Sequence, residues 1–239
     1  MLSVRGASGL MKDVFKVILP NHPMPTRIVC GPFRGARIVM NPRSSIRKIF
    51  GFYEHELNGW LERVLRRCNR VLDVGANDGY FTFGCAAAFR RLRKVGEIIA
   101  FEPEQRHIDK LRESVKKQPI GATQITLLQT LVGSEIRSGI TTLDAVRWRS
   151  GDRESRTHTL VKIDVEGAEL EVLGGALSWL NSANYFVIEV HEERFLDKII
   201  SLFASRNLRL LKLDQRPLPL LGREMRAEQN WWLVSDLAE

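Results

Sequence analysis

The chain has 239 residues, and its 36 lysines and arginines against 28 acids give a formal net charge of +8 at pH 7. This length suits one α/β domain with an extension. No apolar run approaches the ~20 residues of a membrane span, and residues 10–19 are amphipathic without the features of a signal peptide. The cysteines Cys30, Cys68 and Cys85 are odd in number and lack metal-ligand spacing. They therefore indicate reduced thiols in a cytoplasmic protein.

Hydrophobic periodicity predicts a β-hairpin followed by alternating helices and strands. The hairpin comprises residues 27–30 and 36–40, and helices at 44–50 and 54–67 follow it. The later strands are predicted at 70–75, 97–102, 124–131, 159–164, 185–191, 208–213 and 230–234. The later helices are predicted at 80–92, 104–117, 167–179 and 194–205. This alternation predicts an α/β fold with a doubly wound, mostly parallel sheet. Residues 1–52 would form an N-terminal extension and residues 53–239 the main domain.

A glycine-containing turn joins strand 70–75 to helix 80–92. Glycine lets a ligand approach the backbone closely, and the helix N-terminus offers free N–H groups. A dinucleotide fingerprint has glycine at the first, third and sixth positions. Here Gly75 is followed by Asn77 and Tyr80 at the third and sixth positions, which argues against a dinucleotide. The order Asp-x-Gly-x-Asn-x-Gly from Asp73 to Gly79 resembles the first motif of S-adenosylmethionine-dependent methyltransferases, whose acid and turn hold the methionine part of the cofactor.

Two further acids are candidates for the adenosine part of a cofactor. Glu102 ends the second strand of the main sheet, where nucleoside-binding folds place an acid that accepts hydrogen bonds from ribose hydroxyls. Asp144 follows the third strand, whose carboxyl end borders the adenine pocket in such folds. We therefore expect Asp144 or its immediate neighbours to lie near the cofactor. The alternative is that Asp144 or Thr142 caps the N-terminus of a helix.

Charged residues alternate along the fourth and fifth strands. Lys162, Asp164 and Glu166 share one face of the fourth strand, and Glu189 and His191 share one face of the fifth. If the strand ends are level, Lys162 pairs with Glu189, and Asp164 lies beside His191. A buried charge needs a partner, so we expect the Lys162–Glu189 pair to be structural.

Asp164 and His191, with Glu166 at the rim, are the predicted catalytic residues. Histidine titrates near neutral pH, so His191 can take a proton from a hydroxyl group. Asp164 could orient His191, bind a sulfonium group or hold a divalent ion with Glu166. The ion ranks lowest because magnesium usually has more oxygen ligands, and no metal site is predicted. Glu169 is assigned to the first turn of a helix, where an acid complements the helix dipole.

Several segments together resemble the FkbM family of methyltransferases. They are residues 71–82, Phe101-Glu102-Pro103, Thr142-Leu143-Asp144, residues 161–169 (Val-Lys-Ile-Asp-Val-Glu-Gly-Ala-Glu), residues 186–191 and, upstream, Tyr53-Glu54. The resemblance covers roughly residues 31–234. It implies a Rossmann-like, seven-stranded methyltransferase sheet, S-adenosylmethionine as cofactor, and methylation of hydroxyl oxygens of sugars, polyketides or other metabolites. The cofactor-binding residues that follow from it are Glu54, Asp73, Gly75, Asn77, Gly79, Tyr80, Phe81, Glu102 and Asp144. Asp78 departs from the family, in which a small apolar residue is common there.

Three functions are compatible with this sequence. The first is O-methylation of a small-molecule or glycan acceptor. The second is methylation of RNA, which the net charge and two basic clusters favour. These clusters are Arg63, Arg66, Arg67 and Arg70, and Arg90, Arg91, Arg93 and Lys94. The third is a binding module that keeps the fold without catalysis, and the complete turn, Glu102 and the segment 162–169 argue against it. The sequence does not indicate an oligomeric state.

Overall fold

The computed structural model describes residues 19–119, 121–148, 158–214, 217–218 and 231–237. The predicted amphipathic segment up to residue 18 and most of the polar connection before the fourth strand of the main sheet lie outside these ranges. Among the described residues, no helix combines the length and the apolar character needed to cross a membrane.

Short strands and helices alternate along the described chain. The strands are β1 (Met24–Arg27), β2 (Arg37–Met40), β3 (Cys68–Val74), β4 (Glu97–Phe101), β5 (Gln124–Leu128), β6 (Leu131–Val132), β7 (Ile140–Thr141), β8 (His158–Ile163), β9 (Asn184–Val190), β10 (Leu210–Leu213) and β11 (Trp231–Ser235). The helices are α1 (Ile46–Ile49), α2 (Asn58–Arg67), α3 (Tyr80–Arg91), α4 (Gln105–Lys117), α5 (Glu169–Gly174) and α6 (Glu193–Ala204), with single 3-10 turns at His55–Leu57 and Leu143–Ala145. Helix α5 is shorter than the predicted helix 167–179.

Seven of the described strands form one sheet in the order β10-β11-β9-β8-β3-β4-β5. Strands β5, β4, β3, β8 and β9 are parallel to one another. Strand β11 is antiparallel to both β9 and β10. The predicted α/β fold with a mostly parallel, seven-stranded, Rossmann-like sheet is therefore confirmed.

Hydrophobic side chains on the two faces of the sheet belong to two separate cores. Because side chains alternate along a strand, Val71 of β3 packs into one core and Leu72 into the other. Helices α2, α3 and α4 cover the first face, and α5 and α6 cover the second. Helices on both faces bury the central parallel strands from water, so the carboxyl ends of these strands are where a ligand is expected to bind.

The N-terminal hairpin packs against helix α3. Strands β1 and β2 pair antiparallel, with Met24 opposite Met40. The first strand ends earlier than the predicted segment 27–30, because the Val29 N–H donates to the carbonyl of Ile49 and turns the chain towards α1. In the hairpin loop, Phe33 is buried, and a Cβ added at Gly84 of α3 would lie only 2.2 Å from its ring. The division after residue 52 stays a prediction.

Candidate active site at the carboxyl ends of the parallel strands

The turn after β3 requires glycine at two positions. Gly75 and Gly79 have φ angles of 81° and 84°, and Asn77 between them has a φ of 50°. A Cβ at Gly75 would lie 1.9 Å from the carbonyl oxygen of Asp164, and one at Gly79 would lie 2.4 Å from the Phe83 ring. The N–H groups of Gly75 and Ala76 both donate to the carbonyl of Phe101, at 3.1 and 3.0 Å. The turn is thus held between the ends of β4 and β8.

Glu102 fixes the conformation of this turn from the end of β4. Its Oε2 accepts a hydrogen bond from the Asn77 N–H at 2.8 Å, and its Oε1 accepts one from the Glu104 N–H at 2.9 Å. The residue is 4% exposed. Each carboxylate oxygen can accept more than one hydrogen bond, so these contacts are compatible with the predicted role at a ribose, which stays a prediction.

Asp73 is a completely buried acid at the base of the site. Its Oδ2 accepts a hydrogen bond from the Thr82 hydroxyl of helix α3, a contact that sequence reasoning did not predict. Its Oδ1 lies 3.4 Å from the Lys162 ammonium group. Asp73 therefore joins strand β3 to both its helix and strand β8.

Lys162 is a buried cation whose partners differ from the predicted one. Its Nζ lies 3.0 Å from Oδ2 of Asp164 and donates to the carbonyl of Gly75 at 2.9 Å. Burial alone would lower the pKa of Lys162, but the carboxylates of Asp164, Asp73 and Glu54 raise it above its ordinary value. Lys162 is therefore charged, and it connects strand β8 to the glycine turn that follows β3.

The predicted pairing of Lys162 with Glu189 is wrong, because the register of the two strands differs from the level alignment that the prediction assumed. Val187 lies opposite Lys162, and Ile188 lies opposite Ile163. Extending this register by one residue brings Glu189 level with Asp164. The predicted alternation of side chains along each strand is correct. The alignment of β8 with β9 differs from the predicted one by two residues.

Asp164 and His191 lie side by side, as the alternation predicts. Oδ1 of Asp164 is 3.8 Å from Nε2 of His191, and their side chains are 26% and 17% exposed. Burial would raise the pKa of Asp164, but the charge of the Lys162 ammonium group and the hydrogen bond that it donates lower it. Asp164 is therefore ionised and reachable from solvent. The catalytic role of the pair stays a prediction.

Glu169 is a functional candidate that sequence reasoning missed. It begins helix α5, as expected, but it is completely buried. Its Oε1 lies 2.6 Å from Nδ1 of His191 and also accepts a hydrogen bond from the His191 backbone N–H at 3.2 Å. Burial would lower the pKa of His191, but Glu169, Glu189 and Asp164 raise it. Spacing along the chain could not reveal this contact, since it joins a helix to a strand 22 residues away.

Glu166 and Glu54 occupy different surroundings at the site. Glu166 is exposed in the turn between β8 and α5, and its place at the rim of the site stays a prediction. Glu54 is 5% exposed and has a φ of 51°. Its charge contributes to the raised pKa of Lys162, so the Tyr53-Glu54 element reaches the buried end of the site.

The carboxylate of Asp144 makes structural hydrogen bonds, which compete with its predicted role near the adenosine part of a cofactor. Its carboxylate accepts hydrogen bonds from the N–H groups of Leu177 and Ser178, at 3.1 and 3.0 Å, and from the Ser178 hydroxyl. Thr142 provides the N-cap of the 3-10 turn by accepting from the Ala145 N–H at 3.2 Å. The capping alternative therefore holds for Thr142, and proximity of Asp144 to a cofactor stays a prediction.

The charge of Asp78, which departs from the family pattern, is paired with Lys48 of helix α1. The Lys48 ammonium group also lies over the rings of Tyr53 and Tyr80, at 4.7 and 5.6 Å from their centroids. Tyr80 and Phe81 in turn pack edge-on against Phe33, with centroid distances of 5.1 and 5.5 Å. The first residues of helix α3 are thus enclosed by the N-terminal extension.

The glycine turn, the buried acids beside it and the order of the sheet define a Rossmann-like fold of the methyltransferase class. Residues 112–210 match the family model described as the methyltransferase FkbM domain. The predicted resemblance is therefore confirmed over this part of the chain, which is similar to the FkbM methyltransferase domain. The matched range contains the segment 161–169 and His191 but begins after the glycine turn.

Two known proteins illustrate this similarity. The hexuronic acid methyltransferase AglP of Haloferax volcanii is 28% identical, with 63% of this chain and 69% of the relative covered. The crystal structure of methyltransferase FkbM from Methylobacillus flagellatus KT superposes with a TM-score of 0.53 at 16% identity. That superposition covers 71% of this chain and 44% of the other, so this chain spans less than half the length of that protein. At this identity the likeness concerns the fold.

Proposed function

We propose that the protein is an S-adenosylmethionine-dependent methyltransferase that methylates a hydroxyl oxygen of a small molecule or a sugar. The observation that carries this proposal is the convergence of the Gly75 turn, the buried Asp73 and the Asp164–His191 pair at one edge of the sheet. Ligands of α/β sheets bind at this edge, beyond the carboxyl ends of the strands. The curated relative acts on a hexuronic acid, so a glycan that contains a uronic acid is the first acceptor to test.

The residues present fit the proposed cofactor. Gly75 leaves no room for a side chain and keeps its backbone open to a ligand. Asp73 and Gly75 would hold the amino-acid part, and Glu102 the ribose. The other expected contacts are Glu54, Asn77, Gly79, Tyr80, Phe81 and Asp144. When bound, S-adenosylmethionine would supply a methyl group that is already activated on a sulfonium sulfur.

The acidic surroundings suit the cationic end of this cofactor. The carboxylates of Glu54, Asp73 and Asp164 all act on the ammonium group of Lys162. Glu169 and Glu189 add two more buried acids beside His191. A ligand with amino and sulfonium groups would interact favourably with this concentration of acidic side chains.

The remaining task of the protein is to align a hydroxyl group and accept its proton. Alignment can contribute about 7–11 kcal/mol to the lowering of a barrier, and general base catalysis typically contributes about 10²–10⁴-fold. Glu169 holds Nδ1 of His191, so Nε2 is the nitrogen that faces Asp164 and the opening. Nε2 is therefore the proposed position for the proton, and it is free to accept one only when the imidazole is neutral.

Methylation of RNA is the second candidate, because the two basic clusters meet in space. The Lys94 ammonium group donates to the carbonyls of Leu65 and Cys68, which joins the ends of α2 and α3. Arg34, Arg66 and Arg91 line a cavity of about 470 Å³ there. This cavity lies at the start of β3, however, roughly 20 Å along the strand from its carboxyl end at ~3.3 Å per residue. The basic surface and the candidate active site therefore lie at opposite edges of the sheet.

A binding experiment followed by an activity assay tests the proposal. Calorimetry with S-adenosylhomocysteine should show saturable binding, and Glu102→Ala should weaken it. Incubation with S-adenosylmethionine and glucuronic-acid-containing oligosaccharides should add one methyl group to an oxygen, as detected by mass spectrometry. Absence of S-adenosylhomocysteine binding would contradict the cofactor assignment. Methyl transfer to RNA, with binding that weakens steeply as salt increases, would favour the second candidate.

A further inference from the structure

Three potential metal ligands converge at the carboxyl ends of β8 and β9. Asp164, Glu189 and His191 each offer one ligand atom, and these atoms all lie within 4.8 Å of one another. Glu189 is 6% exposed, whereas the side chains of Asp164 and His191 are 26% and 17% exposed. One member of the cluster, Glu189, is therefore buried, and the other two can be reached from solvent. This set differs from the pair of Asp164 and Glu166 that the sequence suggested for an ion.

The contacts of His191 orient one ring nitrogen towards this cluster. Glu169 holds Nδ1 at 2.6 Å, which leaves Nε2 to face Oδ1 of Asp164 at 3.8 Å. This distance is too long for a hydrogen bond. It is near the roughly 3–3.5 Å that separates two ligand atoms bound to the same ion at about 2.0–2.2 Å. A carboxylate that accepts from the outer nitrogen is also the usual support of a metal-binding histidine.

Acidic side chains are concentrated at this cluster. Ligand atoms of Asp164 and Glu189 lie within 4.8 Å of each other, a distance at which like charges repel. Lys162 contacts Oδ2 of Asp164 and leaves Oδ1 to the cluster. Glu169 is completely buried, and within the described part of the chain its Oε2 has no hydrogen-bond partner. A cation at the centre of the cluster would balance these charges.

We propose that Asp164, Glu189 and His191 bind a divalent transition-metal cation that receives the hydroxyl group of the acceptor. One imidazole and two carboxylates suit Mn²⁺ and its neighbours in the first row. The ion's role in catalysis rests on the proposed function, but its binding does not. His191 then serves as a ligand of the ion, which replaces the imidazole as the group that promotes loss of the hydroxyl proton.

The ion would act by making the acceptor oxygen a better nucleophile. A bound cation lowers the pKa of a coordinated O–H group, so the proton passes to water. The acceptor oxygen forms a bond to the methyl carbon, the bond between that carbon and sulfur breaks, and its electron pair returns to sulfur. The products are the methyl ether and S-adenosylhomocysteine, and the ion remains unchanged.

Titration with Mn²⁺, followed by the loss of the electron paramagnetic resonance signal of free Mn²⁺, tests the site without cofactor or acceptor. Saturable binding of one ion is expected for the wild type. Glu189→Gln keeps the shape of the side chain and should weaken binding at least about 10–100-fold. Asp197→Asn, which removes an exposed acid of helix α6, is the matched control and should bind like the wild type. Pulsed measurements should show coupling of bound Mn²⁺ to an imidazole nitrogen, and His191→Ala should abolish this coupling.

Two results would overturn the proposal. One is the absence of saturable Mn²⁺ binding to the wild type, and the other is equal affinity in the wild type and both site variants. Circular dichroism checks that the variants fold. If Glu189→Gln does not fold, the Mn²⁺ affinity of His191→Ala is the deciding measurement. Binding of S-adenosylhomocysteine is measured in parallel. If the wild type binds Mn²⁺ but does not bind S-adenosylhomocysteine, the proposed function is refuted and the metal site is not.

Discussion

Gly75 and Asp164 touch through their backbones, so closely that a Cβ on Gly75 would lie 1.9 Å from the Asp164 carbonyl oxygen. The contact joins the turn after β3 to the end of β8, the strand that carries Lys162. The Lys162 ammonium group reinforces it by donating to the Gly75 carbonyl. The proposed cofactor turn and the proposed catalytic residues therefore depend on the same backbone packing.

Replacing Gly75 by alanine should destabilise the fold and weaken S-adenosylhomocysteine binding together. The added methyl group meets backbone atoms that cannot rotate away, and φ is positive at this position. Overpacking of this kind costs about 1–3 kcal/mol of unfolding free energy. Gly59 of helix α2 is the matched control, since an added Cβ there meets nothing within 4 Å. Urea unfolding and calorimetry measure both effects, and equal stability of the two variants would contradict the argument.

Replacing Lys162 by methionine should be strongly destabilising. The Lys162 side chain is 5% exposed, and its ammonium group lies beside the carboxylates of Asp73 and Asp164. Removing one partner of a buried ion pair leaves an uncompensated charge, typically at a cost of about 3–5 kcal/mol. Lys198→Met on the exposed face of helix α6 should stay within about 0.5 kcal/mol of the wild type. A Lys162→Met variant as stable as this control would show that the buried acids do not need the cation.

Replacing Glu169 by glutamine should lower the pKa of His191. Glutamine can still accept a hydrogen bond from Nδ1, but it lacks the negative charge that raises this pKa above 6.5 in the wild type. NMR titration of the His191 ring in metal-free buffer measures the change. Glu171→Gln on the same helix, whose carboxylate accepts from Ser134, is the control and should leave the titration unchanged. An identical titration in the Glu169 variant would exclude the carboxylate as a cause.

The stability of the wild type should fall as pH rises through the raised pKa of His191. Protonated His191 interacts with Glu169, Glu189 and Asp164 in the folded state. Its contribution is therefore complete below the unfolded-state value of about 6.5 and is lost above the folded-state value. In Glu169→Gln this loss should be smaller and should occur at lower pH. Urea unfolding in metal-free buffers between pH 5 and 9 checks the sign, and a stability that rises across this range in proportion to His191 deprotonation would contradict it.

Replacing Lys48 by alanine should loosen the N-terminal extension from the cofactor turn. Lys48 pairs with Asp78 and lies over the rings of Tyr53 and Tyr80. The side chains of the ion pair are 18% and 20% exposed, so we expect a loss of about 1 kcal/mol. A double-mutant cycle with Asp78→Asn isolates the pair. Independent, additive effects of the two substitutions would contradict direct coupling, and Lys116→Ala on helix α4 controls for the loss of a surface charge.

The sequence predicts the fold well because alternating helices and strands leave few arrangements. It also predicts that Asp164 and His191 share a face, because that follows from the alternation along each strand. It misplaces the partner of Lys162, because the register between parallel strands depends on packing and not on alternation. It assigns Glu169 correctly to the start of a helix but cannot show that this helix turns the carboxylate towards β9. Contacts between elements distant in the chain are what sequence patterns leave open.

The fit of Phe33 against Gly84 bears on where a shortened version of this protein can begin. The ring occupies the space that a side chain at position 84 would otherwise fill, and it packs on the aromatic residues that open helix α3. A fragment that starts at residue 53 would leave an apolar slot in this helix exposed to water, directly behind the proposed cofactor turn. We therefore expect shortened versions intended for crystallography or ligand screening to need the hairpin.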